Sequence, residues 1–107
     1  MVIKWTEEAE AKVDEIYLFY ESRSKKVAKE IFADILTAVE QLVLFPKSAP
    51  LEPFLRHRPE KFRSLLVRDM YKIVYFINHE AEEIVISTIF DCRQNPDKLK
   101  REIRKSF

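Results

Sequence analysis

The sequence predicts an α+β fold in which two amphipathic helices precede a small antiparallel sheet. In the first half of the 107-residue chain, apolar side chains recur every three or four residues, which is the spacing of one helix face. From Phe62 onward the period changes to two, and three short apolar strands follow one another up to Pro96. The segment between the two halves holds four prolines and interrupts both patterns. Helices followed by a run of strands are typical of the α+β class.

A short strand and a two-helix hairpin are predicted before the proline-rich segment. Val2–Trp5 is a candidate strand, and Thr6 follows it as the N-cap of a helix that ends near Ser22. Ser24 caps a longer helix, which Pro46 stops. Its apolar positions are Ala28, Ile31, Phe32, Ile35, Ala38, Val39 and Leu42. Because only a few residues join the two helices, we expect them to pack antiparallel.

A three-stranded antiparallel meander and a short C-terminal helix are predicted for the second half. A tight turn at Asp69-Met70 joins the first two strands, and residues 78–82 form the second turn. Pro96 suits the first turn of the last helix. Both faces of the sheet are largely apolar, so both should be covered. We expect the hairpin on one face, and the C-terminal segment, a dimer mate or a separate protein on the other.

Length and composition indicate one domain over residues 1–107. No apolar run approaches the roughly 18 residues of a membrane span, and the N-terminus lacks the apolar core of a signal peptide. We therefore expect a cytoplasmic protein that makes no membrane contact. The absence of glycine excludes Gly-rich phosphate loops. Cys92 is the only cysteine, which excludes an intrachain disulfide or a Cys-based zinc site, and we expect no metal or cofactor.

Charge is distributed unevenly along the chain. Residues 1–53 carry 7 Lys and Arg against 10 Asp and Glu, whereas residues 54–107 carry 12 against 8. The basic excess lies already within residues 54–72. Such asymmetry indicates a polar partner surface, without identifying nucleic acid as that partner.

Basic side chains at or near the predicted strand ends are the candidate functional residues. Two cations on one sheet face can bind phosphate or carboxylate groups, or stabilise charge on a transferred phosphoryl group. The alternative is that each cation is solvated or pairs with a neighbouring carboxylate. Nucleophilic catalysis is poorly supported, because no serine stands in a recognisable arrangement with a histidine. The candidate contact residues are Arg56, Arg58, Arg63, Arg68, Lys72 and Arg93.

Short motifs along nearly the whole chain carry a family resemblance. They are Ile3-Lys4-Trp5-Thr6, Leu44-Phe45-Pro46, Arg63-x-Leu65, Tyr71-Lys72-Ile73-Val74-Tyr75, Ile84-Val85-Ile86 and Ile89-Phe90-Asp91-Cys92-Arg93-Gln94-Asn95-Pro96. In this order they resemble the RelE/ParE superfamily of toxins from type II toxin–antitoxin systems. The resemblance implies a compact α+β toxin that a cognate antitoxin neutralises, with an extended or helical tail that covers apolar surface.

The resemblance implies one of two targets. ParE-like members poison DNA gyrase by protein–protein contact and are not enzymes. RelE-like members cut mRNA on the ribosome, using several cations and often a C-terminal tyrosine. No tyrosine follows Tyr75 in this chain, and the long helical hairpin resembles the ParE branch, so a ParE-like toxin is favoured.

Three alternatives remain open at this point. If the chain is a ribosome-dependent endonuclease, its catalytic candidates are Lys72, Arg93 and Arg68. The second alternative is an inactive homologue that only binds partners. In the absence of an antitoxin, the two apolar sheet faces make a homodimer plausible.

Overall fold

The α+β architecture is confirmed in the computed structural model, which describes the backbone of residues 1–106 and the side chains of residues 1–103. The elements are β1 (Val2–Trp5), α1 (Glu7–Glu21), α2 (Lys25–Leu44), a 3₁₀ turn (Pro53–Leu55), β2 (Arg63–Val67), β3 (Tyr71–Asn78), β4 (Glu83–Asp91) and α3 (Pro96–Ser106). Thr6 and Ser24 cap the two long helices as predicted, by accepting hydrogen bonds from the backbone N–H groups of Ala9 and Val27.

The four strands form one mixed sheet in the order β1-β4-β3-β2. The predicted meander is confirmed, because β2, β3 and β4 are antiparallel neighbours. β1 adds a parallel edge next to β4, with Val2 opposite Glu83 and Trp5 opposite Ile86. The helical hairpin carries the chain from one edge of the sheet toward the other, so β1 and β2 lie on opposite edges.

A β-bulge in β4 anchors the start of α1. Tyr75 lies opposite Ile86 and Val74 lies opposite Thr88, so Ser87 has no opposing residue in the ladder. The Thr6 hydroxyl donates between the carbonyl oxygens of Ile86 and Ser87, at 3.0 and 2.9 Å. Thr6 thus caps α1 and ties that helix to the interior of the sheet.

The helical hairpin covers one face of the sheet. From α2, the side chains of Ile31, Ile35 and Leu42 are buried against this face. They pack with residues of β3 and β4 such as Ile73 and Ile86. This arrangement is the predicted one, and the alternation of β3 places Tyr71, Ile73 and Tyr75 toward the hairpin.

The second face is covered by α3, which was one of the three predicted ways to cover it, and also by the proline-rich segment, which was not predicted there. Leu99 and Ile103 of α3 pack over Val74 and Phe90. Leu55 and Phe62 complete this smaller core cluster. The buried Glu102 of α3 accepts from Lys12 at 3.3 Å and from Thr88 at 3.5 Å. None of the described helices is long and apolar enough to span a membrane.

The turn between β2 and β3 lies one residue earlier than predicted. Arg68 and Asp69 have φ angles of 54° and 55°, and the Met70 N–H donates to the Val67 carbonyl at 3.1 Å. Two successive residues with positive φ match the right-handed twist of the flanking strands. The chain has no glycine for this position. The Arg68 side chain donates to Asp34 of α2 at 2.8 Å, which holds the turn against the hairpin.

Candidate functional site

The six predicted cations are spread over both faces of the sheet and do not form one cluster. Arg63 donates to the Ala49 carbonyl at 2.7 Å on the hairpin side, whereas Lys72 lies on the opposite face. Arg68 pairs with Asp34, and Arg58 pairs with Glu60 at 2.6 Å. Arg56 is exposed. The contact role of all six stays a prediction.

Lys72 takes part in a buried polar network centred on Glu52. The Glu52 side chain is fully buried, and its carboxylate accepts from the Lys72 ammonium at 2.7 Å. It also accepts from the Ser64 hydroxyl at 3.0 Å and from the Phe54 N–H at 2.8 Å. The network joins β2, β3 and the 3₁₀ turn. Lys72 therefore has a structural partner that the sequence patterns did not reveal.

Arg93 is paired just beyond the end of β4. Its guanidinium donates to both carboxylate oxygens of Asp91, at 2.9 and 2.7 Å, and its backbone N–H donates to the same carboxylate at 2.9 Å. This is the carboxylate pairing that the sequence offered as the alternative to anion binding. The side chain of Arg93 remains 59% exposed, so its outer surface is accessible.

The pairing of Arg93 with Asp91 predicts a pH dependence on the acid side. Hydrogen bonds from Arg93 lower the pKa of the Asp91 carboxyl, against a smaller opposing effect of burial. A depressed pKa in the folded state contributes stability above the unfolded-state pKa of about 3.9, and this stability is lost as the pH falls through the folded-state pKa. NMR titration should place the pKa of Asp91 below that ordinary value, and Arg93→Gln should raise it. An unchanged Asp91 pKa in the Arg93→Gln variant would contradict the pairing.

A cleft of about 210 Å³ lies beside this ion pair, between α1, the end of β4 and α3. Its wall includes Tyr71, whose hydroxyl donates to Tyr20 at 3.3 Å. Burial raises the pKa of the Tyr71 hydroxyl above its ordinary value. Desolvation also raises the pKa of the thiol of Cys92, a residue that does not line this cleft, and this disfavours the reactive thiolate. Among the described residues, no group of three or more His, Cys, Asp or Glu could hold a metal ion.

Exposed apolar side chains form a second kind of surface. Leu44 and Phe45 at the end of α2 are 73% and 63% exposed, and they line a shallow depression with Met1 and Ile77. On the hairpin, Phe32 is 38% exposed and lines a second depression, whose wall also includes the acidic side chains of Glu10 and Asp14. The helical spacing grouped Phe32 with the buried residues of α2, so its partial exposure corrects that prediction. A helical projection of α2 puts Phe32 about 60° from the centre of the buried face.

Comparisons with known proteins identify a family and a fold. A family model described as the ParE toxin of the type II toxin–antitoxin system parDE matches residues 3–96. A solved structure described as the chromosomal ParDE toxin–antitoxin system from P. aeruginosa matches with a TM-score of 0.68 and 24% sequence identity. That match covers 85% of this chain and 95% of the other, and at this identity it shows the fold alone. No curated protein sequence matches the chain.

Proposed function

Because the chain belongs to the ParE toxin family of type II toxin–antitoxin systems, we propose that it poisons DNA gyrase by protein–protein contact and that a cognate antitoxin silences it. In this proposal residues 1–107 act as one toxin domain in the cytoplasm. The chain contributes binding surface and performs no chemistry of its own. The similar solved structure is described as a ParDE toxin–antitoxin system, which supports an antitoxin as the partner.

The observation that favours protein–protein contact over RNA cleavage is that Lys72 and Arg93 each pair with a carboxylate. A nuclease of this kind needs cations that face the substrate and stabilise the charge developing on a phosphate. Lys72 is held by the buried Glu52 at 2.7 Å, and Arg93 is held by both oxygens of Asp91. Each cation is already neutralised by a carboxylate, which weakens both as catalytic groups.

The apolar depression at the end of α2 supports a protein partner. Leu44 and Phe45 are adjacent and largely exposed, and contiguous apolar surface of this kind marks interaction sites. We assign this depression to the antitoxin, whose tail would bury both side chains.

The test is a DNA supercoiling assay with purified gyrase and the purified chain, run beside a reaction with translating ribosomes and mRNA. We expect loss of supercoiling and intact mRNA. In induced bacteria, DNA synthesis should fall before protein synthesis, as followed by pulse-labelling. Cleavage of mRNA with active gyrase would instead assign the chain to the ribosome-dependent nucleases. No effect in either reaction would assign it to inactive homologues.

Arg93→Ala is expected to weaken toxicity without unfolding the protein. The Arg93 side chain is exposed and its ion pair lies at the surface, so the fold does not depend on it. Loss of an arginine at a contact surface typically weakens binding by about tenfold. The measurement is the toxin concentration that half-inhibits gyrase, together with thermal unfolding. Arg63→Ala is expected to act in the same direction, although it also removes the bond to the Ala49 carbonyl.

Lys4→Ala is the matched control for Arg93→Ala, because it removes an exposed cation from β1. It should leave the inhibition unchanged. If a folded Arg93→Ala variant were fully toxic, Arg93 would not be part of the contact surface.

A further inference from the structure

The C-terminal helix α3 is basic on its outer side. Residues 96–106 carry five Lys and Arg against two Asp and Glu. One of these acids, Glu102, is buried and accepts from Lys12 at 3.3 Å, so it does not offset the cations at the surface. The other, Asp97, is exposed in the first turn, where a carboxylate suits the positive end of the helix dipole. Between that turn and Ile103, the charged side chains of α3 that reach solvent are therefore basic.

Helical geometry places these cations relative to the buried residues of α3. Leu99 packs on the sheet, and Glu102 meets Lys12 of α1. At 3.6 residues per turn, Arg101 lies about 160° from Leu99, and Lys100 lies about 160° from Glu102. Arg101 therefore faces solvent, and Lys100 lies on the flank of α3 that is turned away from α1. In agreement with this placement, Arg101 is exposed and Lys100 is half-buried.

The 3₁₀ turn adds a further cation beside α3. Leu55 of that turn is buried against Leu99, and the next residue, Arg56, is exposed. Arg56, Lys100 and Arg101 are here called the α3 surface. Within the part of the chain that the structure describes, none of the three forms an ion pair with a carboxylate. Their charges are therefore available to a ligand.

The carboxylates around the α3 surface are paired elsewhere or lie at its border. The border toward α1 is acidic, since Glu8 and Glu15 both lie near Lys12. A ligand of negative charge would therefore cross the outer side of α3 and the flank next to the 3₁₀ turn. The other neighbouring acids pair with cations outside the α3 surface: Glu52 with Lys72, Glu60 with Arg58, Asp91 with Arg93 and Glu102 with Lys12.

We propose that the α3 surface binds the phosphate backbone of duplex DNA, with one phosphate contact for each of its three cations. Arginine can donate two hydrogen bonds to a single phosphate, and lysine supplies a point charge. Contacts to phosphate carry no sequence information, so this binding is non-specific. The choice of DNA rests on the proposed function, because a toxin that holds gyrase meets the DNA on which gyrase acts.

The composition of the α3 surface favours phosphate over a protein or a membrane as its ligand. In the described part of α3, no large apolar side chain is exposed. The cores of protein interfaces are apolar and depleted in lysine, whereas phosphate contacts require only charge and hydrogen-bond donors. Leu99 and Ile103 are buried on the sheet, so they are not available for insertion into lipid. The α3 surface therefore differs in kind from the apolar depression at Leu44 and Phe45.

Fluorescence anisotropy of a short labelled DNA duplex tests the proposal, with the full chain and without gyrase. Non-specific binding of this kind has a Kd of about 10⁻⁴ to 10⁻⁶ M at physiological salt. Each phosphate contact releases counterions, so three contacts predict a slope of about −2.7 for the logarithm of affinity against the logarithm of salt concentration. The affinity should therefore fall about fortyfold when the salt concentration rises from about 50 to about 200 mM.

Removing the three cations should abolish most of this binding. The variant carries Arg56→Gln, Lys100→Gln and Arg101→Gln, and its remaining affinity should depend little on salt. Arg101→Gln alone serves as a second variant, and it should flatten the salt slope by about 1. Circular dichroism checks that each variant is folded.

The matched control removes the same charge from another surface. It carries Lys25→Gln, Lys26→Gln and Lys29→Gln, all at exposed positions of α2. Its net charge equals that of the triple variant of the α3 surface, so a difference between the two depends on where the charge lies. The control should keep the affinity and the salt slope of the wild type.

Several outcomes would overturn the proposal. They are a wild-type chain that does not bind the duplex, wild-type binding by the folded triple variant, and an equal loss of binding in the control. Tighter binding of a polyglutamate peptide than of the duplex would also overturn it, and the partner would then be an acidic protein segment. The supercoiling assay is read separately. Inhibition of gyrase without DNA binding would leave the proposed function and remove this inference, whereas DNA binding without inhibition would do the reverse.

Discussion

Replacing Glu52 by glutamine is expected to lower the free energy of unfolding by about 3 kcal/mol. The buried carboxylate satisfies the Lys72 ammonium, the Ser64 hydroxyl and the Phe54 N–H, all within 3.0 Å. Glutamine keeps the size of the side chain but leaves the ammonium without a counter-charge. Lys72 is still 27% exposed and partly hydrated, which places the expected loss at the low end for a buried pair. Urea unfolding followed by circular dichroism measures the change.

Two further variants separate the buried charge from other effects. Glu60→Gln removes the carboxylate that pairs with Arg58 nearer the surface, and it should cost about 1 kcal/mol or less. In Glu52→Gln with Lys72→Met, no ammonium is left unpaired, so the double variant should recover part of the lost stability. A Glu52→Gln variant as stable as the wild type would show that the network does not hold the proline-rich segment in place.

Ile35→Ala is expected to destabilise the protein by about 3 to 4 kcal/mol. Ile35 is fully buried at the centre of the α2 face that packs on the sheet. Truncation removes apolar contacts and leaves a cavity that neighbours on a helix and a sheet close only in part. Because the Ile35→Ala variant unfolds more readily, less folded protein is present at 37 °C, and toxicity should fall with it.

Leu44→Ala is the matched control on the same helix. Leu44 is 73% exposed, so its truncation should change the free energy of unfolding by about 0.5 kcal/mol or less. Thermal unfolding of the two variants side by side measures the contrast. Equal losses in both would contradict the assignment of the buried and exposed faces of α2.

The helices and the meander could be predicted from the sequence because each carries its own local signal. Thr6 and Ser24 cap helices through residues only three positions away. Pro46 follows α2 closely, and the change of apolar period at Phe62 precedes β2 by a single residue. These signals depend on neighbours in the chain, so they are visible without the tertiary structure.

The parts that could not be predicted depend on residues distant in the sequence. Glu52 reaches Lys72 across 20 positions, and no local pattern indicates that this carboxylate is buried. The parallel pairing of β1 and the bulge at Ser87 likewise follow from the assembled sheet. The six cations could be named but not located, because the alternation of a strand gives two faces without saying what covers them.

Because β1 pairs with β4, the fold that the toxin needs cannot be completed until most of the chain has been synthesised. Thr6 contacts the Ile86 carbonyl across 80 positions, and β1 has no other strand partner in the sheet of the described residues. The ribosome makes the chain from its N-terminus, so β1 cannot pair and Thr6 cannot anchor α1 until β4 has emerged from the ribosome. Contacts of such long range are also slow to form. A translation product that stops before β4 lacks the strand that joins β1 to the rest of the sheet, and it should therefore be harmless to the cell that makes it.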